Sequence, residues 1–217
     1  MTTKRECGDC QLCCRLLPTE EIGKPAGRRC QHQKHGVGCA IYAERPASCQ
    51  LWSCRWLTND DGETADLPRP DRAHYVIDMM PDFVTATGDD GEHNIPVVQV
   101  WVDRGYPNAH RSPSFRAWLD RQEIPAVIRY DRREGFVLFP PSITGGRGWI
   151  EHRSSVVGRE HSLEQKAAVL GDLGIGLEIE HDGNVYKGTI RIGGKSITVA
   201  AMQDARDHGI LDDGRKA

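Results

Sequence analysis

Eight cysteines lie between Cys7 and Cys54, and none follows in the rest of the 217 residues. Cys7, Cys10 and Cys13 are spaced C-x2-C-x2-C with Cys14 immediately adjacent, and Cys30, Cys39, Cys49 and Cys54 follow at wider intervals. A two-residue gap lets one tight turn aim two thiolates at a common centre, and repeating it supplies a third ligand from the same segment, as in bacterial ferredoxins. A fourth ligand must then come from farther along. Zinc competes for the same residues, because tetrahedral four-cysteine sites also pair a C-x2-C knuckle with a distant pair, and eight cysteines suffice for two such sites. The three-cysteine run, and the lack of a well-spaced histidine pair, place an iron–sulfur cluster ahead of structural zinc. Neighbouring Cys13 and Cys14 point in different directions along most backbones. One can serve a first centre while the other serves a second, stays free or packs as a small hydrophobe. All eight are read as metal ligands, with their pairing open.

The compartment bears on that reading. The start MTTKRECGDCQLCC has cysteines where a signal peptide needs an apolar stretch, and no later run approaches the roughly 18 apolar residues of a membrane span. The chain therefore reads as cytoplasmic, with no membrane association. Thiols there are kept reduced, and clustered cysteines serve as metal ligands or redox groups more often than as disulfides. A formal charge of −3, from 28 basic and 31 acidic side chains, gives no global field that would attract nucleic acid.

The segments CGDCQLCC, RCQH and GCAIYAERPASC, within residues 7 to 54, resemble the YkgJ-type cysteine-cluster proteins, whose domain is described as zinc- or iron-chelating. The resemblance rests on the C-x2-C-x2-C-C opening and the C-x-I-Y-x-x-R-P-x-x-C segment, and it implies ligand roles for Cys7, Cys10, Cys13, Cys14, Cys30, Cys39 and Cys49. Cys54 lies outside that motif and joins them as the eighth thiol of the segment. The related flagellin lysine N-methylases carry a similar pattern, which implies that such a cluster can accompany methyl transfer from S-adenosylmethionine, although this chain lacks a recognisable extra domain for that chemistry. Three readings result. The first is a metal protein whose centre is structural or electron-transferring; the second is a metal-dependent enzyme modifying a protein substrate; the third is a metal-folded adaptor for a protein partner.

Other residue patterns give less. His32 and His35 follow Cys30 in so polar a context, RRCQHQKHG, that they read as solvent-exposed, with a mixed Cys/His zinc site as the lesser alternative. His74, His93, His110, His152, His161, His181 and His208 are scattered, without a metalloprotease or deaminase motif. The glycine-rich stretches at 145–148, 171–176 and 193–196 lack the strand-before, helix-after context of a phosphate cradle and read as turns. The acidic runs Asp60, Asp61, Glu63 and Asp89, Asp90, Glu92 lack calcium-loop spacing. No nucleophile elbow places a serine for catalysis.

The elements that must position the thiols follow from the remaining pattern. Tyr42, Trp52 and Trp56 supply apolar surface to the module, while Arg45-Pro46 fixes a turn that can return Cys49 towards Cys39, and Arg45 can offset thiolate charge. A module this small has little other core, so bound metal would supply about 10–16 kcal/mol of its folding energy. Beyond the polar stretch that ends in LPRPD, short apolar runs at 75–80, 83–87 and 95–102 read as strands separated by Pro81 and GDDGEHN. Ser112-Pro113 opens a helix to about Gln122. Ala126–Tyr130 and Phe136–Phe139 form a hairpin, and Ser162 caps a second helix through Leu170. The alternation from Leu177 to Met202 reads as two or three antiparallel strands. The expected organisation is α+β: a loop-rich metal module at 1–58, a linker or loop at 59–70, a mostly antiparallel domain with two or three short helices at 71–202, and a tail at 203–217.

Overall fold

The structure is a computed structural model that describes residues 5–58, 62, 64–88, 90–153, 163–172, 176–182, 185–192 and 195–202. Most of the acidic run at 59–63, the Ser162 cap and the 203–217 tail lie outside the described residues. The α+β expectation is met by short helices and mostly antiparallel strands.

The cysteine segment holds little regular structure: α1 (Leu12–Leu16), a hairpin of β1 (Gln33–Lys34) and β2 (Gly38–Cys39), and α2 (Ala47–Leu51). Helix α3 (Pro70–Ala73) then delivers the chain into β3 (Tyr75–Gly88), which pairs antiparallel with β4 (Gly91–Val102). Next come α4 (Pro113–Gln122), β5 (Ala126–Arg129), β6 (Gly135–Phe139) and β7 (Ile150–His152), giving a sheet in simple order from β3 to β7. Among the described strands only β4 and β5 pair in parallel, because α4 carries the chain back across the sheet between them. Helix α5 (Leu163–Asp172) leads to a separate antiparallel sheet of β8 (Gly176–Asp182), β9 (Val185–Ile192) and β10 (Lys195–Met202).

Two local expectations change. Pro81 does not separate two strands: β3 runs through it, with a register shift between Ile77 and Pro81. It can do so because β3 is an edge strand, where a missing N–H breaks no ladder bond to a second neighbour. Ser112 occupies the position before α4, and Pro113 starts the helix as expected, but the serine side chain makes no capping bond.

Strand alternation gives the sheet two buried faces. On one, Tyr75, Ile77, Val100, Val102, Ala126, Ile128, Phe136 and Leu138 meet Phe115, Trp118 and Leu119 of α4. Helical spacing puts those three side chains on one stripe, and all three are essentially fully buried. On the other face, Val76 and Trp101 meet Leu12 and Leu16 of α1 together with Trp52, Cys13 and Cys54. The cysteine segment is therefore one of the layers that bury the sheet. Among the described residues, no helix is long and apolar enough to cross a membrane.

Candidate metal centre

The C-x2-C unit forms the tight turn its spacing predicts. The Cys10 N–H donates to the Cys7 carbonyl at 2.9 Å, and Gly8, at φ 51°, supplies the left-handed residue the turn requires. Arg69 anchors this turn to the start of the sheet: Nη1 donates to Asp9 Oδ1 at 2.6 Å, while Nε and Nη2 donate to the two Asp71 oxygens at 2.7 Å each. The Cys10 sulfur in turn accepts from the backbone N–H groups of Leu12 and Asp71. The turn is thereby placed against α3.

Helix α1 carries the adjacent thiols of Cys13 and Cys14. Its apolar side drives Leu12 and Leu16 into the sheet, and Cys13 follows them into the layer that holds Trp52 and Cys54. Burial there pushes the Cys54 thiol up to about 12, against the Leu57 N–H that hydrogen-bonds its sulfur. Cys54 reaches the sheet through an antiparallel bridge to Asp78 on β3, beside an Arg55 N–H that donates to the Ile77 carbonyl at 2.9 Å. Cys14 lies towards the loop after α1. The hydrogen bond from the Cys13 thiol outweighs burial, and with help from Lys24 brings Cys14 down to about 7. That same bond, then burial, pushes Cys13 well up.

Lys24 is the residue of this site that the sequence did not announce. It is only 7% exposed. The loop holds it there through a reciprocal backbone pair with Thr19, at 2.8 and 2.9 Å, and through its ammonium, which donates to the Leu17 carbonyl. Burial lowers its pKa, and the thiols of Cys30, Cys14, Cys13 and Cys49 around it act in the opposite sense. The Cys30 N–H donates to the Cys14 carbonyl at 3.0 Å, which draws the distant Cys30 segment alongside α1. Cys49, on α2, sits 4.0 Å from the Thr19 hydroxyl. Arg45 behaves as its position suggested: its Nε donates to the Cys49 carbonyl at 3.0 Å, and its guanidinium lies over the Tyr42 ring. Tyr42 itself is exposed, whereas Trp52 and Trp56 pack against the sheet layers.

Cys39 lies on β2 opposite Gln33, and the Gln33 N–H donates to the Cys30 carbonyl at 3.1 Å, so the small hairpin returns Cys39 over the Cys30 turn. Of the flanking histidines, His35 is exposed and His32 half-buried with a ring nitrogen 3.2 Å from the Gln31 amide. All eight cysteines are free thiols, and Cys49 alone among them is exposed. Among the described residues, no three His, Cys, Asp or Glu side chains are drawn into a closed ligating group. The donor set nonetheless fits a thiophilic metal in its chemistry: reduced thiols, half-buried, with N–H and O–H donors aimed at several sulfurs.

Two polar networks lie outside the cysteine set. On the sheet face that carries Trp101, buried Asp82 accepts from Gln99 and pairs with Lys166 of α5 at 3.5 Å; Gln99 in turn accepts from Arg129 Nε at 2.6 Å. Near α4, the fully buried His110 contacts Glu151 of β7 at 3.0 Å, and Arg111 and Arg153 donate to the same carboxylate. Neither had a signal in the chain order, since each joins residues from elements far apart in sequence. No family model matches the chain, and neither a curated protein nor a solved structure is similar to it.

Proposed function

We propose that residues 7–54 hold a thiolate-ligated metal centre, an iron–sulfur cluster with zinc as the competing occupant, and that the centre fixes the cysteine layer against the sheet. The observation that carries this reading is the meeting of free thiols at the start of the chain: Cys13 and Cys54 pack in one layer against the sheet, and Cys30, Cys14, Cys13 and Cys49 lie around the buried Lys24. Bound metal would supply the closure that thiols alone lack, because bringing several thiolates together without a cation costs Coulomb energy and desolvation. Cys7, Cys10, Cys13, Cys14, Cys30, Cys39, Cys49 and Cys54 are the residues that would hold it. The resemblance of this segment to the YkgJ-type proteins supports the same assignment.

Metal analysis and a visible spectrum on protein purified without oxygen, for wild type and Cys10→Ser, test it. Iron with acid-labile sulfide and broad visible absorption, diminished in Cys10→Ser, is the expected result. Zinc without colour keeps the site and makes it a folding scaffold. Protein that folds with neither metal overturns the reading.

A further inference from the structure

Three of the five tryptophans bury an indole N–H that has no acceptor among the described residues: Trp52, Trp101 and Trp118. The other two are satisfied, Trp56 by the Leu67 carbonyl at 3.2 Å and Trp149 by Asp120 Oδ1 at 2.5 Å. A buried donor left unpaired costs about 1–3 kcal/mol, and folded proteins keep few of them. Two of the three share a place. Trp101 of β4 is 2% exposed, Trp52 follows α2, and both pack in the layer that α1 forms on the sheet, together with Cys13 and Cys54. The rest of that layer is aliphatic, built from Leu12, Leu16, Leu17, Ala26 and Val76. The sulfurs of Cys13 and Cys54 are therefore its only side-chain acceptors. Trp118 differs, because it lies in the core on the opposite sheet face, which contains no cysteine.

We propose that the indole N–H groups of Trp52 and Trp101 donate hydrogen bonds to the sulfurs of the metal centre, namely the thiolates of Cys13 and Cys54 or a sulfide held with them. A thiol sulfur accepts weakly, whereas a ligating thiolate accepts as an anion, and charge-assisted hydrogen bonds are roughly twice as strong as neutral ones. Metal loading would thus satisfy both parties: the indoles gain acceptors, and anionic sulfurs gain donors in a layer too apolar to supply others. The two indoles would add to the Leu57 N–H that already reaches the Cys54 sulfur. They act as positioning residues, holding and tuning ligands without binding metal. Hydrogen bonds to sulfur favour the more negative state of a cluster, so in an iron–sulfur centre they raise the reduction potential, and with either metal they slow release.

This inference rests on the metal reading above, and one experiment separates their failures. Wild type, Trp52→Phe, Trp101→Phe and the control Trp118→Phe are purified without oxygen, with far-ultraviolet circular dichroism to confirm folding. Metal release to a chromophoric chelator is timed for each, and the reduction potential is measured where the metal is iron. Phenylalanine also removes volume, so positions 52 and 101 are filled in turn with benzothienylalanine, which keeps the indole shape and replaces its N–H by sulfur. Release about 10-fold faster with either replacement at 52 and 101, and unchanged at 118, is the expected result, with a lowered potential in an iron–sulfur centre. If benzothienylalanine at both positions behaves as wild type, the two indoles only fill space, and the inference falls while the metal reading stands. If folded wild type holds no metal, both fall. Should a phenylalanine variant fail to fold, the benzothienylalanine protein decides alone.

Discussion

Lys24 and Arg69 do different work around the thiols, and their substitutions should separate. Lys24 is a buried cation among Cys30, Cys14, Cys13 and Cys49, so on the proposed metal reading Lys24→Met should weaken metal affinity by about 10-fold or more, read by chelator competition. Arg69 holds two carboxylates with a planar fork. A lysine is a point charge that cannot bridge both, so Arg69→Lys should loosen the Cys7–Cys10 turn and raise the rate of metal release about 10-fold, measured by transfer to a chromophoric chelator. Among single residues, the cysteines were legible from type and spacing, because a C-x2-C turn is a local event. Lys24 was not: its environment is built by Cys13, Cys14, Cys30 and Cys49, which the fold brings to it from both directions along the chain. Cys39 and Cys49 were joined in sequence by the Arg45-Pro46 turn, and the structure adds that Arg45 secures the Cys49 carbonyl.

At the scale of elements, α4 and the tie beneath it are the best test of how the sheet is held. Trp118, 1% exposed on the α4 stripe, should cost about 3–5 kcal/mol when replaced by alanine, measured by urea unfolding. Glu151 connects β7 to the turn preceding α4. Burial opposes its ionisation, but hydrogen bonds from His110, Arg153 and Arg111 prevail and hold it near 2, below its ordinary 4.5. A carboxylate with a depressed folded pKa stabilises above its unfolded pKa and loses that contribution as pH falls through the folded one. The stability difference between wild type and Glu151→Gln should therefore be constant above about pH 5 and shrink between 4.5 and 2, as followed by urea midpoints across that range. The helix at 113–122 and the hairpin of β5 and β6 were readable from local spacing and turn residues. The parallel pairing of β4 with β5 was not, since it depends on where α4 carries the chain. The continuity of β3 through Pro81 was hidden for a similar reason: a proline reads as a strand break until the strand is known to lie at an edge.

For the whole molecule, the cysteine layer and the sheet share one apolar contact, centred on Trp101, Val76, Leu12 and Leu16. Metal binding and sheet stability should therefore be coupled. Trp101→Ala should destabilise the protein by about 3–5 kcal/mol and reduce retained metal together, whereas independent units would lose only one of the two. The organisation of the chain into a cysteine segment and a strand-rich remainder was legible because the cysteines stop abruptly. The use of the first as a covering layer for the second was not, because alternation in β4 and β5 marks apolar positions on both faces without saying what covers either.

The edge position of β3 also bears on how copies of the protein avoid each other. A fourteen-residue border strand presents a row of backbone donors and acceptors on which a second chain could extend the sheet. Here the row is interrupted twice: Cys54 and Arg55 engage it at Asp78 and Ile77, and Pro81 contributes no N–H within a shifted register. The irregular middle of β3 thus acts as a guard against strand-by-strand self-association, a protection that depends in part on the same segment that carries Cys54.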